Sequence, residues 1–131
     1  MISYDENLIK EISRNCGSKS ILEGFAYYRS MRHFHPETFW YDFHERKGYC
    51  VAYKGKKHAR LIGIAVRSDC QGQGIGRRLF LRLISRAKQA GLSKVTFRTS
   101  IFEEAQHFYA KMGCNVVGLK DNDFEMEYII K

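Results

Sequence analysis

Proline and tryptophan each occur once in the 131 residues, as Pro36 and Trp40. With no polar low-complexity tract either, the composition excludes a proline-rich linker or a disordered chain. No uninterrupted apolar run approaches the roughly 20 residues a membrane-crossing helix needs. The first fifteen residues carry Asp5, Glu6, Lys10, Glu11 and Arg14 where a signal peptide would be apolar. A soluble, cytoplasmic protein is therefore expected. Cys-x-x-Cys pairs are also missing. The four cysteines, at 16, 50, 70 and 114, match neither a zinc ribbon nor a small disulfide scaffold, and all four are read as reduced thiols. Acidic residues are fewer than basic ones, 14 against 22, for a net charge of +8. That balance favours a partner with phosphates and does not choose among nucleic acid, an anionic membrane and a polyphosphorylated small molecule.

Hydrophobic residues make up 44% of the chain and aromatic residues 14%, enough for a core, and the length is short of the roughly 150 residues that serve as a prior for one domain. One domain over 1–131 is expected. Leu8, Ile9, Ile12 and Cys16 recur at helical intervals behind Asp5 as N-cap, and Gly17 ends that helix. Ser20 and Glu23 have capping-box spacing ahead of Ile21, Leu22, Phe25 and Ala26, predicting a second helix to about His33. Phe34 to Lys47 mixes aromatic, charged and histidine residues without a clean period and reads as irregular. A hairpin follows, with Tyr49, Val51 and Tyr53 on one strand, a turn at Lys54-Gly55-Lys56, and the apolar run Ala59 to Val66 on the other. After a glycine-rich turn, Ile75, Leu79, Leu83 and Ala87 define a helix closed by Gly91. Then come a strand over Lys94 to Thr99, a helix from Glu103 to Met112, and two strands around the turn Asp121-Asn122-Asp123. This order is a mixed α/β domain.

A buried strand running through glycines into a helix makes an anion site, because unpaired N–H groups converge at the positive end of the helix dipole. Spacing decides which anion. A dinucleotide fingerprint would need glycine at 77 or 79, where Arg77 and Leu79 stand, and a Walker A loop would need Gly-Lys-Ser/Thr, where Gly76 precedes Arg77 and Arg78. Both readings fail.

Gln71-x-x-Gly74-x-Gly76 at the end of a hydrophobic strand resembles the pyrophosphate motif of the GNAT superfamily of acetyl-CoA-dependent N-acetyltransferases. The segment of about 59–91 is similar to that family's cofactor-binding motif. Ala105-Gln106-His107-Phe108-Tyr109-Ala110-Lys111-Met112-Gly113-Cys114, within about 101–114, is similar to its second motif. The resemblance implies an α/β (α+β) fold with a mixed central sheet flanked by helices. It implies acetyl-CoA as co-substrate, no metal and no membrane, and an unidentified primary amine of a small molecule or peptide as acceptor. It also implies site residues. The backbone of Gln71, Gly72, Gln73, Gly74, Ile75, Gly76 and Arg77 would cradle the pyrophosphate, with glycine needed at 72, 74 and 76 for close approach or backbone angle. Ile64, Ala65 and Val66 would splay from the neighbouring strand and pair with the pantetheine arm. Tyr109 would give the proton to the departing thiolate; its alternative is a core aromatic beside Phe108 and Met112.

The sequence departs from the family at three places. The strand before the loop carries no carboxylate, and Arg60 stands about where many members have a glutamate base. Glu37, Asp42, His44 and Glu45 are the nearest substitutes, and none is assigned as base. Phe102 replaces a frequent asparagine. The N-terminus is short, with only Met1 to Tyr4 to supply a first strand, so the sheet would lack an edge or be completed by a second subunit in a homodimer.

The remaining features have weaker functional readings. The aromatic segment from Phe34 to Tyr49 is expected to wall the acceptor pocket, and the basic balance favours a small amine or neutral amino group. Arg78, Arg82 and Arg86 form a stripe read as a solvated face. With Lys54, Lys56, Lys57, His58 and Arg60 they keep nucleic acid as a less favoured partner. His33, His35, His44 and Cys50 fit no metal signature, and Cys70 reads as a passive loop residue. Two other readings stay open: a catalytically silent module that binds coenzyme A or a protein, and a nucleic-acid-binding domain.

Overall fold

A computed structural model describes residues 2–102 and 104–131, with the side chain of Ser20 outside that description. The helices are α1 (Glu6–Cys16), α2 (Ser20–Glu23), α3 (Phe25–Phe34), α4 (Ile75–Gln89) and α5 (Ala105–Lys111). The strands are β1 (Phe39–His44), β2 (Gly48–Lys54), β3 (His58–Val66), β4 (Lys94–Ser100), β5 (Asn115–Lys120) and β6 (Asp123–Ile129). They form one mixed sheet of order β1-β2-β3-β4-β6-β5, in which only the β3–β4 pair is parallel. α4 is the crossover that such a pair requires.

Each face of the sheet has its own core. Leu8, Ile9 and Ile12 of α1 are at most 1% exposed and pack with Ile21, Phe25, Tyr49 and Val51. On the opposite face Leu79, Phe80, Leu83 and Ala87 of α4 meet Val95, Phe97, Met126 and Tyr109. α1 starts as its sequence dictates, with the Asp5 carboxylate accepting the Leu8 N–H at 3.0 Å and Gly17 at the far end. A buried bond of 2.7 Å between the Ser13 and Tyr49 hydroxyls ties this helix to β2.

The expected second helix is two helices. Gly24 leaves the helical path at φ −103°, ψ 11°, its N–H bonds to the Ile21 carbonyl, and the Tyr28 ring lies where a Cβ on Gly24 would sit. Lys19 occupies the N-cap of α2 with no side-chain cap bond. The expected capping box rests on the Ser20 side chain, outside the described residues. The described part of the helix expected over 103–112 begins at Ala105, and Glu103 also lies outside the description.

The segment read as irregular contains β1. Phe39, Tyr41 and Phe43 face the α1 core and Trp40 the α4 core. Both faces are aromatic here, so the alternation that reveals a half-buried strand is lost. β1 is an outer strand: residues 2–5 form no strand beside it, and the Tyr4 ring packs edge-on against Phe39 and Tyr41 at 5.6 and 5.2 Å.

Candidate active site

β3 and β4 pair over only three positions, His58 with Lys94, Ala59 with Val95 and Arg60 with Thr96. Beyond Arg60 they diverge. On its other side β3 stays paired to β2, but the register slips so that Val51 faces Gly63 and Ala52 faces Leu61, leaving Ile62 as a bulge. The extra residue reverses the alternation. Ala59 and Leu61 face the α4 core, Ile62 and Ala65 the α1 core, and Ile64 and Val66 the α4 core again. A cleft of about 1310 Å³ opens in the gap, and Leu61 to Val66 line it with a backbone edge that has no β4 partner.

The cleft continues over the glycine loop. A short 3₁₀ turn, Ser68–Cys70, leads from β3 into it. The turn is pinned to the end of α1, because the Ser68 N–H donates to Asn15 Oδ1 at 2.9 Å and the Ser68 hydroxyl bonds the Asn15 carbonyl at 3.1 Å. The Gln71 amide turns back and donates to the Val66 carbonyl at 3.2 Å, so this side chain holds the loop against the strand. Gly72 and Gly74 follow at φ +82° and +80°. No atom lies within 4 Å of a Cβ built on either, so the backbone angle alone calls for glycine there. Gly76 is different. It has no positive φ, and a Cβ on it would meet Phe108 at 3.5 Å and Val66 at 3.9 Å, both ordinary contacts, so no protein atom and no backbone angle demands glycine. The bond from the Arg78 N–H to the Gly74 carbonyl, 3.1 Å, opens α4 and leaves the N–H groups of Ile75, Gly76 and Arg77 at its start. They combine with the dipole of a fifteen-residue helix into a site for an anion.

Tyr109 of α5 is 8% exposed and lines the same cleft. Its ring sits 4.2 Å from that of Phe97 and 5.9 Å from that of Phe80. It is a core aromatic placed at the cleft wall. The cleft thus brings together Ile64, Ala65, Val66, Gln71, Gly72, Gly74, Ile75, Gly76, Arg77 and Tyr109; Gln73 belongs to the same loop but does not line it.

The segment expected to wall the acceptor pocket does not line this cleft. β1 is separated from β4 by β2 and β3, and it lines a smaller cavity of about 510 Å³ against α4. Asp42 is paired with Arg82 and Glu45 with Lys47, and neither these nor Glu37 and His44 line the large cleft. The large cleft is instead also lined by Glu23 from α2, Tyr27 and Tyr28 from α3, Tyr53 from β2, Arg60, Arg98 and Asp123. The arginine stripe is also more than a solvated face. Arg82 bonds Asp42 and the Phe43 carbonyl, and the Arg86 guanidinium stacks 4.4 Å from the Trp40 ring, so both clamp α4 onto β1.

Where β3 and β4 part, Arg60 forms a two-point pair with Glu125, which also accepts from Arg98 Nε at 3.1 Å. Burial pushes the Glu125 carboxyl up, but the hydrogen bonds and charges of Arg60 and Arg98 outweigh it and hold the group below its ordinary value. Arg60 therefore sits opposite an ionised acid and cannot act as a base. This contact spans 65 positions, and no local pattern announces it.

The cysteines are all free thiols. Burial and the neighbouring Asp69 carboxylate raise the Cys70 thiol, which suits a passive residue. Burial pushes Cys114 to about 12. Among the described residues no three His, Cys, Asp or Glu side chains gather as a metal site, and no helix is long and apolar enough to cross a membrane.

A splayed parallel strand pair, a glycine turn at a helix N-terminus and a tyrosine thus line one cleft. Residues 7–114 match the model of the Acetyltransferase (GNAT) family, and the chain belongs to that family. Its fold is similar to that of the ribosomal-protein-S18-alanine N-acetyltransferase from Escherichia coli, with a TM-score of 0.78, 17% identity and coverage of 99% of this chain and 92% of that one. It is also similar to PaiA N-acetyltransferase from Thermoplasma acidophilum in complex with coenzyme A, with a TM-score of 0.74, 17% identity and coverage of 94% and 91%. An aminoglycoside 6'-N-acetyltransferase complexed with coenzyme A gives 0.71, 18% identity and coverage of 100% and 98%. No curated protein sequence matches the chain at a significant level.

Proposed function

We infer that the protein is an N-acetyltransferase that moves the acetyl group of acetyl-CoA to a primary amine by direct attack in a ternary complex. The carrying observation is the coincidence in one cleft of a β3 edge and α4-opening amides that have no partner among the described residues. An extended amide-rich arm adds to such an edge as a strand would, and a diphosphate suits the converging N–H groups of the helix start. The residues present therefore fit coenzyme A.

Transfer forms a bond from the amine nitrogen to the thioester carbonyl carbon and breaks the carbon–sulfur bond. The thiolate must gain a proton and the new amide nitrogen must lose one. Tyr109 is the proton donor in this reading, since its hydroxyl is the side-chain acid that α5 brings to the cleft beside the loop. The amine proton passes to solvent in the open cleft in this reading: β3 carries an arginine at 60, the acids of β1 are remote, and no contact ties the cleft carboxylates Glu23 and Asp123 to Tyr109 among the described residues.

Thiol release from acetyl-CoA across an amine panel tests the reading. Acceptor-dependent release, weakened by Tyr109→Phe, is expected. Heat from coenzyme A without turnover on any acceptor would instead identify a silent binding module.

A further inference from the structure

The acceptor class follows from the charges that line the cleft, an inference that rests on the acetyl-transfer reading above. Arg60 and Arg98 line it, and both lean on one carboxylate, Glu125. Arg60 engages it through both terminal nitrogens and also donates to Thr96 Oγ1 at 3.2 Å. Arg98 reaches it only through Nε, so among the described residues its two terminal nitrogens have no acceptor, and its side chain is 49% exposed. One negative charge answers two positive ones. A guanidinium fork with free donors in a cleft is a receptor for a second carboxylate. Glu23 on α2 and Asp123 at the head of β6 line the same cleft, and neither is in an ion pair among the described residues. Lys19 adds a further cation to this lining. A neutral amine would leave the Arg98 donors unanswered, and a lysine-rich tail would face the guanidiniums. A molecule bearing both charges answers both sets.

We propose that the acceptor is a small zwitterion of the amino acid class, its carboxylate held by the free donors of Arg98 and its amino group drawn in by Glu23 and Asp123. Tyr28 and Tyr53, which also line the cleft, are placed to receive its apolar body. The free-base amine is the reacting form, so the carboxylates serve recruitment and the attack follows deprotonation.

The test measures kcat/KM by thiol release for the twenty L-amino acids and their amides, which differ only in the carboxylate. The ratio of acid to amide is then compared between the wild type and Arg98→Met, which cancels the difference in intrinsic amine reactivity. A charge-assisted contact predicts that the ratio falls about tenfold or more in the variant. Arg98→Lys, which keeps charge but not the fork, should fall between the two, and it carries the comparison alone if Arg98→Met does not fold. A ratio unchanged in both variants overturns the proposal. So does acetylation confined to amines without a carboxylate, an outcome that leaves the acetyl-transfer reading standing. If no acceptor turns over, calorimetric titration of the amino acids into the coenzyme A complex decides, and absence of heat overturns the proposal. Failure of coenzyme A itself to bind removes the acetyl-transfer reading and this inference together.

Discussion

Replacing Gly74 by alanine isolates the backbone geometry on which the anion site depends. Gly74 has φ +80° and ψ 11°, and no atom lies within 4 Å of the added methyl. The substitution therefore creates no clash, and its cost is the left-handed conformation itself, about 1–2 kcal/mol for a residue with a Cβ. That cost must appear in one of two places. If the loop keeps its shape, the native state carries the strain. For 131 residues the entropy of unfolding is about 0.28 kcal/mol per kelvin, so Tm falls by about 4–7 °C. If the loop relaxes, Tm is spared, but binding must restore the strained geometry and the Kd for coenzyme A rises by about 5- to 30-fold. Melting and calorimetry on the same preparation read both terms. Gly72→Ala, at φ +82° and equally open, should behave alike. Gly76→Ala, which has no positive φ and meets Phe108 only at contact distance, should leave Tm within about 2 °C of the wild type. A Gly74→Ala protein with both Tm and coenzyme A affinity unchanged would refute the reasoning.

Three further outcomes follow from named contacts. Tyr109→Phe keeps the ring between Phe97 and Phe80, so coenzyme A binding should persist while turnover falls about 100-fold or more, and turnover within about threefold of wild type would remove the proton-donor role. Tyr49→Phe strands the fully buried Ser13 hydroxyl, which should lower stability by about 1–3 kcal/mol, and the double change with Ser13→Ala should recover part of that loss in denaturant melts. Glu125 has its proton affinity lowered by Arg60 and Arg98 on balance, so the stability it gives is present above the ordinary carboxylate range and is lost as pH falls through its depressed folded value. Melting curves run downward from neutral pH should show an acid loss in the wild type that is smaller in Glu125→Gln.

The parts of the site written in contiguous sequence were legible. The Gln71 to Arg77 turn, the hydrophobic strand before it and the Phe108-Tyr109 pair each carry a local spacing, and the structure brings them to one cleft. The N-cap at Asp5 was equally plain. Elements shaped by both faces or by distant partners were not. β1 has aromatic side chains toward two cores, which erases its period, and Gly24 divides a helix whose periodicity runs straight through it.

The arginine side of the cleft shows the limit most clearly. Aromatic density drew attention to Phe34–Tyr49, whose strand β1 the sheet order carries to an outer edge. The residues that line the cleft besides the glycine loop come instead from α2, α3, β2, β3, β4 and the head of β6. Arg60, Arg98 and Glu125 read as scattered surface charges until β3, β4 and β6 lie side by side. The role of the arginine stripe was likewise fixed by tertiary partners: Asp42 and Trp40 take up Arg82 and Arg86, which removes two cations from any account of nucleic-acid binding.

Isothermal titration of coenzyme A into the wild-type protein bears most directly on the central claim. Saturable heat at a stoichiometry of one, weakened by Gly74→Trp, is the result the loop geometry predicts. An absence of heat, or binding that Gly74→Trp leaves untouched, would contradict it.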